Sequence, residues 1–98
     1  MKFLQIMEFR TSHMDEIDAL MQQWLAATDG RRTLSRELQA HDRDRPGTYV
    51  MVAEFPSYED AQRNNELPET AEIAQKVEAL ADGPVAFRNL DCVGEWTA

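Results

Sequence analysis

Apolar and polar residues alternate along the first ten positions of the chain, and the apolar residues then adopt a spacing of three or four. The alternation predicts a β-strand over residues 2–10 with both faces covered, because successive side chains of a strand point to opposite sides. The wider spacing predicts an amphipathic helix over residues 13–28. Thr11 and Ser12 offer N-caps for that helix, and Gly30 follows its end.

Two further strands and a turn follow the helix. Residues 33–40 are predicted as the second strand. Residues 49–55 are rich in β-branched and aromatic side chains and form the third strand. The polar segment 42–47 contains aspartate, proline and glycine, which are typical of turns, so it joins the two strands as a hairpin.

The last third of the chain predicts more helix and a fourth strand. Ser57 begins a helix, and Asp60 three residues later completes a pattern that resembles a capping box. Pro68 lacks an amide hydrogen, so it either interrupts this helix or starts its second half. Apolar residues at helical spacing continue to Ala81, and residues 85–93 form the last strand.

The order of the elements is therefore β-α-β-β-α-β. It predicts an α+β fold of the ferredoxin-like type, in which helices cover one face of a four-stranded antiparallel sheet. A chain of 98 residues with no internal repeat makes one domain, spanning residues 1–98.

The sheet face that the helices leave uncovered is expected to be apolar. We assign the aliphatic pairs Leu4/Ile6 and Val50/Val52 to the helix side. The opposite face then carries the apolar residues Phe3, Met7, Phe9, Tyr49, Met51, Ala53 and Phe55 and the polar residues Gln5, Ser35, Glu37, Gln39 and His41. Such a patch is too large to leave in water on an ordinary monomer. We therefore expect a homodimer with a two-fold axis and a small-molecule pocket between its subunits, the alternative being a plain interface.

Composition narrows the class of partner. The net charge of −8 repels phosphate backbones and anionic lipids, so neither nucleic acid nor membrane is an expected partner. The N-terminal apolar run is too short for a signal peptide, and no run approaches the ~20 residues that span a bilayer, so we expect a cytoplasmic protein. Cys92 is the single cysteine, which excludes an intrachain disulfide and a cysteine zinc site.

The segment 45–61, RPGTYVMVAEFPSYEDA, resembles the antibiotic-biosynthesis-monooxygenase-like branch of the dimeric α+β barrel superfamily. The shared features are an acidic-aromatic pair that closes the third strand and a helix start of the form Ser-x-Glu-x-Ala. The resemblance implies a ferredoxin-like monomer and a homodimeric barrel. In some members it also implies oxidation of aromatic polyketide-like substrates without metal or flavin. Other members degrade haem, cyclise or isomerise small molecules, or have no known activity, so the fold alone does not fix the reaction.

One departure from the family pattern bears on the chemistry. Where many members carry a histidine in this helix, the chain has Asn64 and Asn65, and which of the two takes that position is open. Asparagine orients a ligand through hydrogen bonds, but it acts neither as a base nor as a normal haem ligand. Haem degradation and histidine-dependent oxygenation are therefore disfavoured, and no cofactor or metal is expected.

The candidate site combines apolar and polar residues. The resemblance implies a small hydrophobic or aromatic ligand. We expect the apolar residues Phe3, Met7, Met51 and Phe55 to hold it. Gln5, Tyr49 and Asn64 orient the ligand, and His41 moves a proton, because its unperturbed pKa of ~6.5 suits that task. The alternative for His41 is a solvated place at the hairpin end.

Two functions of different classes follow from the sequence. One is a cofactor-independent monooxygenase or a related cyclase, with His41, Asn64 and Tyr49 as catalytic residues and Gln5, Met7, Met51 and Phe55 as ligand-binding residues. The other is a non-catalytic dimer that binds a metabolite or a protein, which the small number of ionisable candidates favours.

Overall fold

The computed structural model describes the whole chain, Met1–Ala98. Its strands and helices, in chain order, are β1 (Phe3–Arg10), α1 (Met14–Ala27), β2 (Arg36–His41), β3 (Thr48–Phe55), α2 (Tyr58–Glu66), α3 (Pro68–Leu80) and β4 (Ala86–Asp91). The four strands form one antiparallel sheet in the order β2-β3-β1-β4. All three helices pack on one face of this sheet. The predicted ferredoxin-like α+β fold is confirmed.

The break between α2 and α3 is the one that Pro68 predicts. Ser57 caps α2: its Oγ accepts the Asp60 amide proton at 3.1 Å and donates to the Asp60 carboxylate at 2.9 Å. Leu67 has extended backbone angles, φ −63° and ψ 130°, as the residue before a proline prefers. Pro68 is then the first residue of α3, where a missing amide hydrogen costs no helical hydrogen bond.

The start of α1 differs from the prediction. His13 occupies the N-cap position without a side-chain hydrogen bond, so neither Thr11 nor Ser12 caps the helix. Thr11 is buried, and its hydroxyl accepts the His13 amide proton at 2.9 Å and donates to the Leu80 carbonyl at 2.7 Å. Thr11 therefore ties the end of β1 to the end of α3.

The helices cover the sheet face opposite to the one expected, so the sequence-based assignment of the two faces was wrong. Phe9 and Met51 form a buried cluster with Ile17 of α1 and Val77 of α3. A second buried cluster contains Phe3, Phe55 and Ala61. The large rings are on the inside because burying them removes more apolar area from water.

The face away from the helices, called here the outer face, has aliphatic residues interspersed with the charged Glu8, Arg36, Glu54 and Arg88. It carries Leu4, Ile6, Leu38, Val50, Val52 and Leu90. Leu38 is 54% exposed and Leu90 is 41% exposed. The carboxylate of Glu54 lies at the margin of this face and pairs with Arg36 at 3.4 Å.

None of the three helices is both long enough and apolar enough to cross a lipid bilayer.

Candidate functional site

A cavity of about 320 Å³ lies within the subunit, between the sheet and the helices. This volume is at the lower end of the ~300–1,000 Å³ that is typical of small-molecule sites. Residues of β1, β2, β3 and β4 form its sheet wall, and residues of α1, α2 and α3 form its helix wall. The lining is mostly apolar, which suits a ligand that is itself largely apolar. This cavity lies inside one subunit, and the pocket expected between two subunits stays a prediction.

Asn64 is the most informative polar residue of the cavity. It lies near the end of α2, and its backbone carbonyl accepts the Leu67 amide proton at 3.3 Å. The residue is only 5% exposed, and its side-chain Oδ1 is buried without any hydrogen-bond partner. An unsatisfied buried acceptor costs ~1–3 kcal/mol, so it requires an explanation. Oδ1 itself is closed off from the open volume of the cavity, and rotation of the Asn64 side-chain amide would turn it toward a ligand that brings a hydrogen-bond donor.

Trp24 and Thr70 form a second polar element of the helix wall. Trp24 is 6% exposed, as its place on the apolar stripe of α1 predicts, and it also lines the cavity. Its indole Nε1 donates to Thr70 Oγ1 at 2.9 Å. A hydroxyl both donates and accepts, so this bond leaves the Thr70 hydroxyl proton for another acceptor.

The sheet wall presents an amide and a carboxylate. Gln5 of β1 donates from Nε2 to Asn89 Oδ1 at 3.4 Å, which orients its amide along the sheet. Glu37 of β2 lies opposite Ala53 in the strand register and is half-buried. Burial raises the pKa of the Glu37 carboxyl above its ordinary value of 4.5, and no charged neighbour contributes.

His41 and Tyr49 lie outside the cavity. His41 is exposed at the end of β2, and its Nε2 accepts the amide proton of Gly47 at 3.3 Å. Gly47 has a φ of +81°, which the hairpin turn requires and glycine adopts without strain. The His41 ring is 4.9 Å from the Tyr49 ring, and the Tyr49 ring stacks on Phe9 at 6.3 Å. In this structure His41 therefore supports the hairpin.

The structure brings some of the predicted site residues together and separates others. The cavity is lined by Gln5, Met7, Phe55 and Asn64. Met51 is 2% exposed and Phe3 is 5% exposed, so both belong to the core. No group of three or more His, Cys, Asp or Glu side chains is arranged to hold a metal ion.

The sequence reasoning did not single out Glu37 and Thr70, which both line the cavity. Glu37 was placed on the same sheet face as Gln5, which is correct, but its burial without an ion-pair partner is a property of the packed structure. Thr70 has no local signal, because its partner Trp24 lies 46 positions away in the chain. Asn65 also lines the cavity but is exposed, so Asn64 is the more enclosed of the two asparagines.

Solved structures share this fold along nearly the whole chain. An asparagine-to-alanine mutant of SnoaB, a cofactor-independent oxygenase from Streptomyces nogalater, has a TM-score of 0.80 at 15% identity, covering 96% of this chain and 95% of SnoaB. Rv0793 from Mycobacterium tuberculosis has a TM-score of 0.78 at 17% identity, covering 99% of this chain and 100% of Rv0793. A crystal structure of an antibiotic biosynthesis monooxygenase has a TM-score of 0.73 at 15% identity, covering 96% of this chain and 100% of the monooxygenase chain.

No protein-family model and no curated protein matches the sequence. The structural likeness confirms the predicted resemblance at the level of the fold. The chain has the subunit fold of the antibiotic-biosynthesis-monooxygenase-like proteins.

Proposed function

We propose that each subunit binds a small aromatic molecule in the cavity between its sheet and its helices, and that it oxidises this molecule with molecular oxygen without a cofactor. The observation behind this proposal is the apolar cavity in which the buried Asn64 Oδ1 lacks a partner. An apolar wall favours a ring, and a single unsatisfied acceptor favours a ring that carries one well-placed polar group.

The cavity wall fits a ligand of this kind. Trp24 and the exposed Phe87 offer aromatic surfaces, against which a planar ring gains contact in offset or edge-to-face geometry. Asn64 and Thr70 stand on the helix wall as hydrogen-bonding groups for an oxygen of the ligand. Contact of the ring with these walls displaces water from them, which strengthens each polar contact.

The oxygenase part of the proposal is supported by the shared fold with SnoaB, which is described as a cofactor-independent oxygenase. In the reaction we propose, a ring methylene becomes a carbonyl. One atom of molecular oxygen enters the ring, and the other leaves as water together with the two methylene hydrogens. The electrons come from the ligand, so the reaction needs no further reductant.

A non-catalytic binding role is the second candidate, and a specific observation favours it. Only two ionisable residues, Glu37 and Glu78, line the cavity, and both histidines lie outside it. A binding module needs no acid or base, so it is compatible with such a wall.

We also propose that the protein is a homodimer that buries its outer face against a second copy. The exposed Leu38 and Leu90 extend the aliphatic surface to both edges of the sheet. A two-fold axis sets the same surface against itself, which removes this apolar area from water in both copies at once. Each subunit then keeps its own cavity, because the cavity opens on the helix side of the sheet.

An oxygen electrode tests the proposed function. Anthrone, an aromatic ketone with an acidic methylene, is added to the protein under air, and the melting temperature is measured with anthrone present. We expect oxygen uptake, and a ligand at a hundred times its Kd stabilises the fold by ~2.7 kcal/mol. Stabilisation by this and other aromatic ligands without oxygen uptake contradicts the oxygenase and supports the binding module. Failure of every aromatic ligand to stabilise the protein contradicts both.

A further inference from the structure

Glu37 is the only charged residue that the sheet contributes to the cavity wall. It is half-buried, and no ion pair fixes its carboxylate. The groups facing the cavity from β1, β3 and α1 are neutral, and α2 contributes two neutral asparagines. The one other ionisable group of the wall is the exposed Glu78 of α3. An isolated carboxylate beside an apolar cavity costs stability, and such groups cluster at functional sites.

The environment of Glu37 suits proton transfer. Burial disfavours the charged carboxylate and raises its pKa. A carboxylate with a raised pKa has a greater tendency to accept a proton, and general bases work best when their pKa lies close to the ambient pH. Glu78 is exposed, so the two carboxylates of the wall differ in their environment.

The helix wall offers the complementary chemistry. The Asn64 amide and the Thr70 hydroxyl are neutral at any ordinary pH, so neither removes a proton from a carbon acid. Both can donate to an oxygen: Thr70 has its hydroxyl proton to give, and the Asn64 side-chain amide has its Nδ2 protons. The cavity therefore has a basic group on its sheet wall and oxygen-binding groups on its helix wall.

We propose that Glu37 is the general base of the cavity and removes a weakly acidic C–H proton from a bound aromatic ketone, whose oxygen Asn64 and Thr70 hold. This assignment rests on the proposed function. The C–H bond breaks, its electron pair is delocalised through the aromatic ring into the conjugated carbonyl to form an enolate, and the proton passes to a carboxylate oxygen of Glu37. Return of a proton from Glu37 to the carbon, or of a deuteron in D₂O, regenerates the ketone.

Hydrogen–deuterium exchange isolates this step from oxidation. Anthrone is incubated with the protein in D₂O under nitrogen, and the loss of its methylene protons is followed by NMR. The variants are Glu37→Gln, which keeps the size of the side chain but is not basic, and Glu78→Gln, the matched change at the other carboxylate. We expect the native protein and the Glu78→Gln variant to accelerate exchange, and Glu37→Gln to lower the rate by at least ~100-fold.

Anthrone binding is measured on the same samples. This distinguishes failure of the Glu37 assignment from failure of the proposed function. Exchange at the native rate in Glu37→Gln overturns the assignment, and so does a native protein that binds anthrone without accelerating exchange. In the second case the binding part of the proposed function survives. Absence of anthrone binding contradicts the proposed function together with the assignment.

The pH dependence of exchange in the native protein needs no variant. We expect the rate for bound anthrone to rise as the pH passes the raised pKa of Glu37 and then to become level. Glu78, the other titratable group of the wall, is excluded by its glutamine variant, which should give the same profile. A rate that rises in proportion to hydroxide without levelling overturns the assignment.

Discussion

Replacement of Asn64 by leucine separates the stability of the protein from its function. Leucine is apolar and unbranched at Cβ, and the adjoining cavity leaves room for its second methyl group. The change removes a buried acceptor that has no partner. We therefore expect Asn64→Leu to stabilise the unliganded protein although it alters a buried polar residue.

The magnitude of this stabilisation follows from the free-energy cost of the unpaired Asn64 Oδ1. An unsatisfied buried acceptor costs ~1–3 kcal/mol, and leucine also exceeds asparagine in helix propensity by up to ~0.5 kcal/mol. For a domain of this size, 1 kcal/mol shifts the melting temperature by ~4–8 °C. Asn65→Leu is the matched control, because it has the same propensity gain at an exposed position of the same helix. The difference between the two variants reports on the unpaired oxygen.

The assay is thermal unfolding followed by circular dichroism, combined with titration of an aromatic ligand such as 2-naphthol. We expect Asn64→Leu to melt at least ~4 °C above Asn65→Leu and to bind 2-naphthol about tenfold more weakly than the native protein. An Asn64→Leu variant that melts below both the native protein and the control refutes the reasoning. That result requires a structural hydrogen bond at Asn64 in the unliganded protein.

Three further predictions concern the charge, the helix cap and the outer face. The folded-state pKa of Glu37 is raised above its unfolded value, so the native state binds more protons and loses stability as pH rises between those two values. Glu37→Gln should thus raise the melting temperature at neutral pH and leave it unchanged well below pH 4.5, and a pH-independent gain contradicts this. Ser57→Ala removes the cap of α2 and should destabilise the fold by ~1 kcal/mol in urea titrations. An unchanged free energy of unfolding contradicts the importance of this cap. Leu38→Glu should convert a dimer into an 11.2 kDa monomer in sedimentation, whereas a native monomer removes the basis for the interface.

The order of the elements was predictable from the sequence because their local signals agree. The alternation of β1, the Ser57 cap and the Pro68 break each predicted a feature that the structure contains. These signals depend on neighbours within four residues, so they survive without knowledge of the tertiary packing.

The assignment of the sheet faces failed because both faces of β1 and β3 are apolar. Purely aliphatic pairs were placed under the helices, while the structure places the aromatic rings there. A better criterion was present in the sequence. Glu8 and Glu54 share the register of the aliphatic residues, and a carboxylate is more easily accommodated on the side facing water. The opposite register of β1 and β3 contains no charge.

The candidate site was predictable only in part, because its properties depend on tertiary packing. Asn64 was identified through the resemblance, but its unpaired Oδ1 is a property of the packed structure. His41 was selected for its pKa, and its distance from the cavity follows from the way the hairpin turn folds back on it. The cavity itself arises between residues from seven elements, which no local pattern specifies.

Trp24 provides the most direct measurement of whether the cavity binds an aromatic ligand. The chain has two tryptophans, so Trp96→Phe leaves Trp24, which lines the cavity, as the single emitter. Titration of this variant with 2-naphthol should change the Trp24 emission saturably at one ligand per subunit, and Ala74→Phe, which fills the cavity from α3, should abolish the change. Emission that stays constant up to the solubility limit, or an unaltered response in Ala74→Phe, contradicts a ligand site between the sheet and the helices.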